Sequence, residues 1–219
     1  MELTSTSSNE QLSSTQFLEM FQNAAKSIIS ESQNLSELDM IGDADFGVNI
    51  STGFEKILVK LSTLNDPDIG TTLTSAGQVL LFDVGSTIGG LIGRAFQKAG
   101  QQLMSKRQMS CQELVVMLQT FLTTIQKIGG AKAGDKTIVD ALEPAANAAE
   151  AASKSGIASV RRILEISASA AKEGANNTVN MVAKIGRASY IGERSRGTVD
   201  PGAWFIYLFL QAMSQSYDL

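Results

Sequence analysis

Apolar residues recur through most of this chain at the spacing of an α-helix, and only three prolines interrupt 219 residues. The clearest stripe is Leu114, Leu118, Phe121, Ile125 and Ile128, spaced 4, 3, 4 and 3, which lies on one face of a helix and on no face of a strand. Phe17, Phe21 and Ile28, continued by Leu35 and Leu38, predict a long first helix. Phe54, Ile57, Leu58 and Leu61 predict a second that begins near Ser51. Further helices are expected over 70–83, 88–104, 136–152, 156–172, 174–185 and 202–215, with Pro144 kinking its helix or lying in its first turn. No run alternates like a strand. The Ala-rich stretch 145–152 reads as closely packed helix with a turn at 154–156. Short connections between amphipathic helices make the expected fold all-α, a barrel or bundle of about eight antiparallel helices. A flexible tail is expected over 1–14, rich in Ser and Thr, followed by a single helical domain over 15–219.

Composition excludes several chemistries. The chain has no histidine, so it cannot by itself build a Ser-His-Asp triad, a His-ligated zinc or a phosphohistidine carrier. Its single cysteine, Cys111, excludes an internal disulfide and fits a reducing compartment. A net charge of −4 argues against a nucleic-acid partner. The longest apolar run, Trp204 to Leu210, is far short of the ~20 residues that span a membrane, and the N-terminus has no signal-peptide pattern. A cytoplasmic protein is the expectation.

The unusual residues gather in the loops. Asp39, Asp43 and Asp45 place three carboxylates within seven residues; they can serve as a hard-cation site or as helix caps and Asx turns. Residues 31–45 carry five acids and no base, whereas 184–196 carry Lys184, Arg187, Arg194 and Arg196 against Glu193. Arginine in a glycine-rich loop suits phosphate, although solvated surface charge has the same composition. Neither a dinucleotide-binding G-x-G-x-x-G nor a P-loop is present.

The run Leu35-Ser36-Glu37-Leu38-Asp39 followed by Ile41-Gly42-Asp43-Ala44-Asp45, then Gly134-Asp135-Lys136-Thr137, Gly-Arg-Ala-Ser-Tyr at 186–190, Gly-Glu-Arg-Ser at 192–195 and Asp200-Pro201-Gly202-Ala203, resembles the ADP-binding L subunit of phosphotransferase-system-dependent dihydroxyacetone (glycerone) kinase. The resemblance runs in order from about residue 15 to 215. It implies a barrel of eight antiparallel helices with the nucleotide at one end, and two Mg²⁺ ions held by Asp39, Asp43 and Asp45. It also implies ADP or ATP contacts from Gly47, Val48, Asn49, Thr87, Gly129, Ile138, Arg187, Asp200, Pro201 and Gly202, with no catalytic residue on this chain. The implied partners are a phosphohistidine-bearing multiphosphoryl-transfer subunit, which charges the bound ADP, and a K subunit, which holds dihydroxyacetone or a related small ketose. A homodimer is left open.

Four departures from the family pattern fall in or near these motifs. Phe46 stands where the family has histidine. The phosphate loop reads Gly85-Ser86-Thr87-Ile88-Gly89 in place of Gly-Gly-Ala-Ser-Gly. The spacer after Asp39 is one residue short, and Trp204-Phe205 replace polar residues. Each donor lost to a charged phosphate is worth roughly 1.5–3 kcal/mol. An alternative is therefore a divergent paralogue, a regulatory or binding subunit with weak or no nucleotide turnover.

Overall fold

The structure, a computed structural model, describes residues 11–218. Nine α-helices account for most of them: α1 (Ser14–Ser30), α2 (Ser32–Leu38), α3 (Phe46–Ser62), α4 (Ile69–Phe82), α5 (Thr87–Gln102), α6 (Cys111–Gly129), α7 (Val139–Lys154), α8 (Val160–Asn177) and α9 (Pro201–Gln215). Eight of them close a ring in which α1 packs on α3, α3 on α4, each later helix on its successor, and α9 on α1. The short α2 lies outside the ring order, against α3 and α9. The all-α, eight-membered arrangement agrees with the periodicity.

Each wall helix turns one apolar face inward, and the interior is filled by rings. Phe21 meets Phe96 and Phe209 edge-on at 5.3 and 5.5 Å between centroids, and Phe96 meets Phe121 at 4.7 Å. Helix α9 is apolar on nearly all sides and is the most enclosed, with Phe205, Ile206, Phe209, Leu210 and Met213 all buried. Helices α4 and α5 approach closely because glycines face each other: a Cβ on Gly77 would stand 2.6 Å from the Gly93 carbonyl.

Serine begins several helices. Ser13 and Ser110 form capping boxes with Gln16 and Glu113, and Ser86 accepts from the Gly89 amide. The N-termini of α1, α4 and α6 meet at one end, where Leu12–Ser13 (β1) pairs antiparallel with Gln108–Met109 (β2) and Ile69 N donates to the Lys106 carbonyl. Alternation then brings the N-termini of α3, α5, α7 and α9 to the opposite end.

Several local expectations change. The long first helix breaks at Glu31 (φ −91°, ψ 7°), which lets α2 turn Leu35 into the core. The next helix starts at Phe46 and not near Ser51, because Asp39 caps its first amide: Phe46 N donates to Asp39 Oδ2 at 3.1 Å. No separate helix spans 174–185. Helix α8 continues to Asn177 because Ala171, Gly174 and Ala175 extend its buried face, and a short 3₁₀ turn, Thr178–Asn180, ends it. Pro144 sits within α7, where Gly174 of α8 packs against it and the Asp140 carbonyl. Of the expected tail, residues 1–10 lie outside the described residues. Leu12 is buried under the β pair, so the folded chain begins before residue 15.

Candidate functional site

A cavity of about 830 Å³ opens at the end where α3, α5, α7 and α9 begin. Asp45, Phe46 and Asn49 line it at the start of α3, Ser86, Thr87 and Ile88 at the start of α5, Thr137 and Ile138 just before α7, and Asp200, Pro201 and Gly202 at the start of α9. Each helix N-terminus carries roughly half a positive charge with amides that lack intrahelical partners. Four of them converging on one cavity make a seat for a polyanion in a chain whose net charge is negative. Ile41, Ile88, Leu91, Ile125, Ala131 and Ile138 give the same cavity an apolar wall.

The acidic trio lies on one side. Gly42 N and Ala44 N both donate to the Asp39 carbonyl, at 2.8 and 3.2 Å, so the loop curls around Asp39. One carboxylate oxygen each of Asp39, Asp43 and Asp45 lies within 4.8 Å of the others. Burial pushes the Asp39 carboxyl above its usual range and the two neighbouring carboxylates push the same way, against the stabilising bond from Phe46 N. Arg187 reaches across and pairs with Asp43, joining the acidic and basic stretches of the sequence.

The opposite wall is a polar turn, 134–137. Gly134 N and Thr137 N donate to the two carboxylate oxygens of buried Asp140, at 2.6 and 2.8 Å. Lys184 donates to the Gly134 carbonyl at 2.7 Å and stands 3.5 Å from Asp135. Asp200 caps α9 through the Ala203 amide at 2.8 Å; burial pushes its carboxyl up to about 7, an effect that nearby Lys136 opposes.

Of the residues expected to touch nucleotide or metal, Asp39, Asp43, Asp45, Asn49, Thr87, Gly129, Ile138, Arg187, Asp200, Pro201 and Gly202 all line the cavity. Gly47 and Val48 do not. Gly47 is buried against α2, where a Cβ would collide with the Ser32 carbonyl, and Val48 faces outward. Phe46 is 6% exposed and turns into the core, with its ring 6.3 Å from Phe205. Phe46 and Phe205, two of the three aromatic departures named above, are therefore packed on each other. Lys136, Thr137, Lys184 and Tyr190 also line the cavity. The 134–137 motif is visible in sequence, but nothing local says that its lysine points inward.

A family model for the DAK2 domain matches residues 40–215. The chain is 36% identical over 204 residues to the ADP-binding subunit DhaL of the PEP-dependent dihydroxyacetone kinase of Escherichia coli (strain K12), covering 93% of this chain and 97% of that one. It is 29% identical over 185 residues to the corresponding subunit of kinase 1 of Listeria innocua, covering 84% and 87%. The crystal structure of the dihydroxyacetone kinase of C. freundii in its native form matches with a TM-score of 0.73 at 25% identity, over 99% of this chain and 37% of that one. The matched family model, two relatives that this chain covers nearly end to end and a solved structure of the same fold together show that the chain belongs to the DAK2 domain family.

Proposed function

We propose that this chain is the ADP- and magnesium-binding subunit of a dihydroxyacetone kinase, relaying a phosphoryl group from a phosphohistidine protein through bound nucleotide to dihydroxyacetone or a related small ketose on a separate K subunit. The observation that carries the reading is the convergence of four helix N-termini and the acidic trio on one cavity of nucleotide size. The donor set fits the metal. Three carboxylates offer hard oxygen ligands, and their mutual repulsion at Asp39 is the kind that a divalent cation relieves. Magnesium held by Asp39, Asp43 and Asp45 supplies charge neutralisation for a diphosphate.

The chain's own residues bind and orient. The first turns of α5 and α9 line the cavity together with Asn49 and Thr87, whose side chains are polar. Arg187, freed from Asp43, brings a guanidinium to phosphate oxygens. Ile41, Leu91, Ile125 and Ile138 offer an apolar face to a base. Phosphoryl transfer asks for positioning and charge stabilisation more than covalent chemistry. With no histidine on this chain, a phosphohistidine donor has to come from a partner.

The test is equilibrium dialysis of labelled ADP with and without Mg²⁺, followed by reconstitution with a K subunit and a phosphohistidine donor. Retention of ADP that needs Mg²⁺, together with phosphorylation of dihydroxyacetone, is the expected result. Failure to bind ADP at millimolar Mg²⁺ overturns the reading.

A further inference from the structure

Between α8 and α9 the chain leaves the barrel and returns. The excursion 179–197 begins and ends at one place: Gly197 N donates to the Val179 carbonyl at 2.8 Å, and Arg196 donates to the Asn180 carbonyl. Its outer arc holds Ile185, Gly186, Arg187, Ala188, Ser189 and Tyr190, all lining the cavity. No residue from 184 to 194 is buried. Such an arc has no core of its own, so its position depends on polar ties: Lys184 to Gly134 and Asp135, Arg187 to Asp43, and the bonds that hold its two ends.

Both ends are held by the same group. Lys136, only 2% exposed, sends its ammonium to the Thr178 carbonyl at 2.6 Å and to the Thr198 carbonyl, one residue outside the excursion on either side. Its backbone is in the left-handed region at φ +59°, which is rare for a residue with a long side chain. The surrounding turn imposes that conformation through the Gly134 and Thr137 amides on Asp140. A strained backbone of this kind persists only where its surroundings over-determine it, and such sites cluster where position matters. Here the strain aims a buried cation at two carbonyls 20 positions apart in sequence.

We propose that Lys136 is a positioning residue whose ammonium staples the two ends of the 179–197 loop and so holds Lys184, Arg187 and Tyr190 over the cavity. The staple itself rests on hydrogen bonds within the chain; its consequence for ligand rests on the nucleotide reading above. The strength fits the task. Each bond from an ammonium is charge-assisted, and replacing the lysine by an apolar residue leaves two neck carbonyls without that donor. Desolvation lowers the pKa of the Lys136 ammonium, while nearby Asp200 and Asp140 favour its charged form.

The experiment compares wild type with Lys136→Met by amide hydrogen exchange, Mg²⁺-dependent ADP binding and binding of Mn²⁺ alone. Expected are exchange over 181–196 and an ADP dissociation constant each raised about tenfold or more, which corresponds to one lost charge-assisted hydrogen bond. Exchange in α3, α5 and α6 stays unchanged, and Mn²⁺ affinity is not weakened, since the acidic trio sits on another loop. The ammonium is then restored. Lys136→Cys in a Cys111→Ser background, alkylated with 2-bromoethylamine, returns a lysine-like side chain and should recover both loop protection and ADP affinity. Unchanged loop exchange in Lys136→Met overturns the proposal. So does a rise spread evenly over all helices that the alkylated protein fails to reverse. If Lys136→Met does not fold, wild type decides: Lys136 ammonium protons that exchange as fast as those of exposed lysines overturn the staple, and slow exchange supports it. A wild type that binds no ADP brings down the nucleotide reading alone, because loop exchange still judges the staple.

Discussion

Asp39→Asn should make the ligand-free protein more stable and the ligand-bound protein less so. The side chain is half-buried and keeps its role as acceptor for Phe46 N, since an amide oxygen accepts as a carboxylate does. What it loses is charge. With Asp43 and Asp45 each within 4.8 Å, one pair of like charges in a water-like medium costs about 0.9 kcal/mol. Two such pairs give about 1.7 kcal/mol, which salt screening reduces to about 1 kcal/mol. For a domain of this size that raises the unfolding midpoint by about 2–4 °C. Ligand reverses the order. Mg²⁺ and ADP at 100 times the dissociation constant add about 2.7 kcal/mol to the wild type, a rise of about 5–11 °C, and the variant forgoes most of it. The assay is thermal unfolding of EDTA-treated, nucleotide-stripped protein, alone, with Mg²⁺, with ADP, and with both. A less stable apo variant would refute the repulsion argument. An equal Mg²⁺-ADP shift in the two proteins would refute a metal-binding role for Asp39.

Asp200→Asn tests a second carboxyl. The folded protein holds the Asp200 proton up to about pH 7 while the unfolded chain releases it near 3.8, so the wild type loses stability relative to the variant as pH rises through that window. Denaturant midpoints of the two proteins should diverge from pH 4 to 7 and run parallel above it. Arg187→Gln removes the guanidinium paired with Asp43; calorimetry should show Mn²⁺ alone binding more tightly and ADP with Mg²⁺ more weakly. Phe205→Ala empties the junction where Phe46, Phe54 and Phe209 meet, within 6.3 Å of the Phe205 centroid. It should cost about 3–5 kcal/mol in urea unfolding.

Much of this protein could be read from short-range pattern. The stripe through Leu114, Phe121 and Ile125 is a helix because residues three and four apart share a face, whatever surrounds them. Gly130 just after α6, and Gly134 and Gly186 within loops, take up positive-φ backbone, as their residue type allows. The acidic trio and the arginine loop were visible as clusters; the thirteen binding residues were implied by the resemblance, and eleven of them line one cavity. Gly47 and Val48, which the resemblance implied, do not line it, and only packing shows that Gly47 is a close contact between α2 and α3.

Sequence alone therefore determined the all-α class, the absence of any histidine chemistry and the clustering of acids over 31–45 and of bases over 184–196, because each depends on residue type and local spacing. Tertiary structure alone decided the rest. The break at Glu31 follows from what α2 can bury, and the inward turn of Phe46 follows from Phe205, more than 150 positions away. The meeting of four helix N-termini follows from ring closure, and the grip of Lys136 on Thr178 and Thr198 follows from the return of the chain between α8 and α9. Such contacts join residues far apart in the chain, and no local periodicity encodes them.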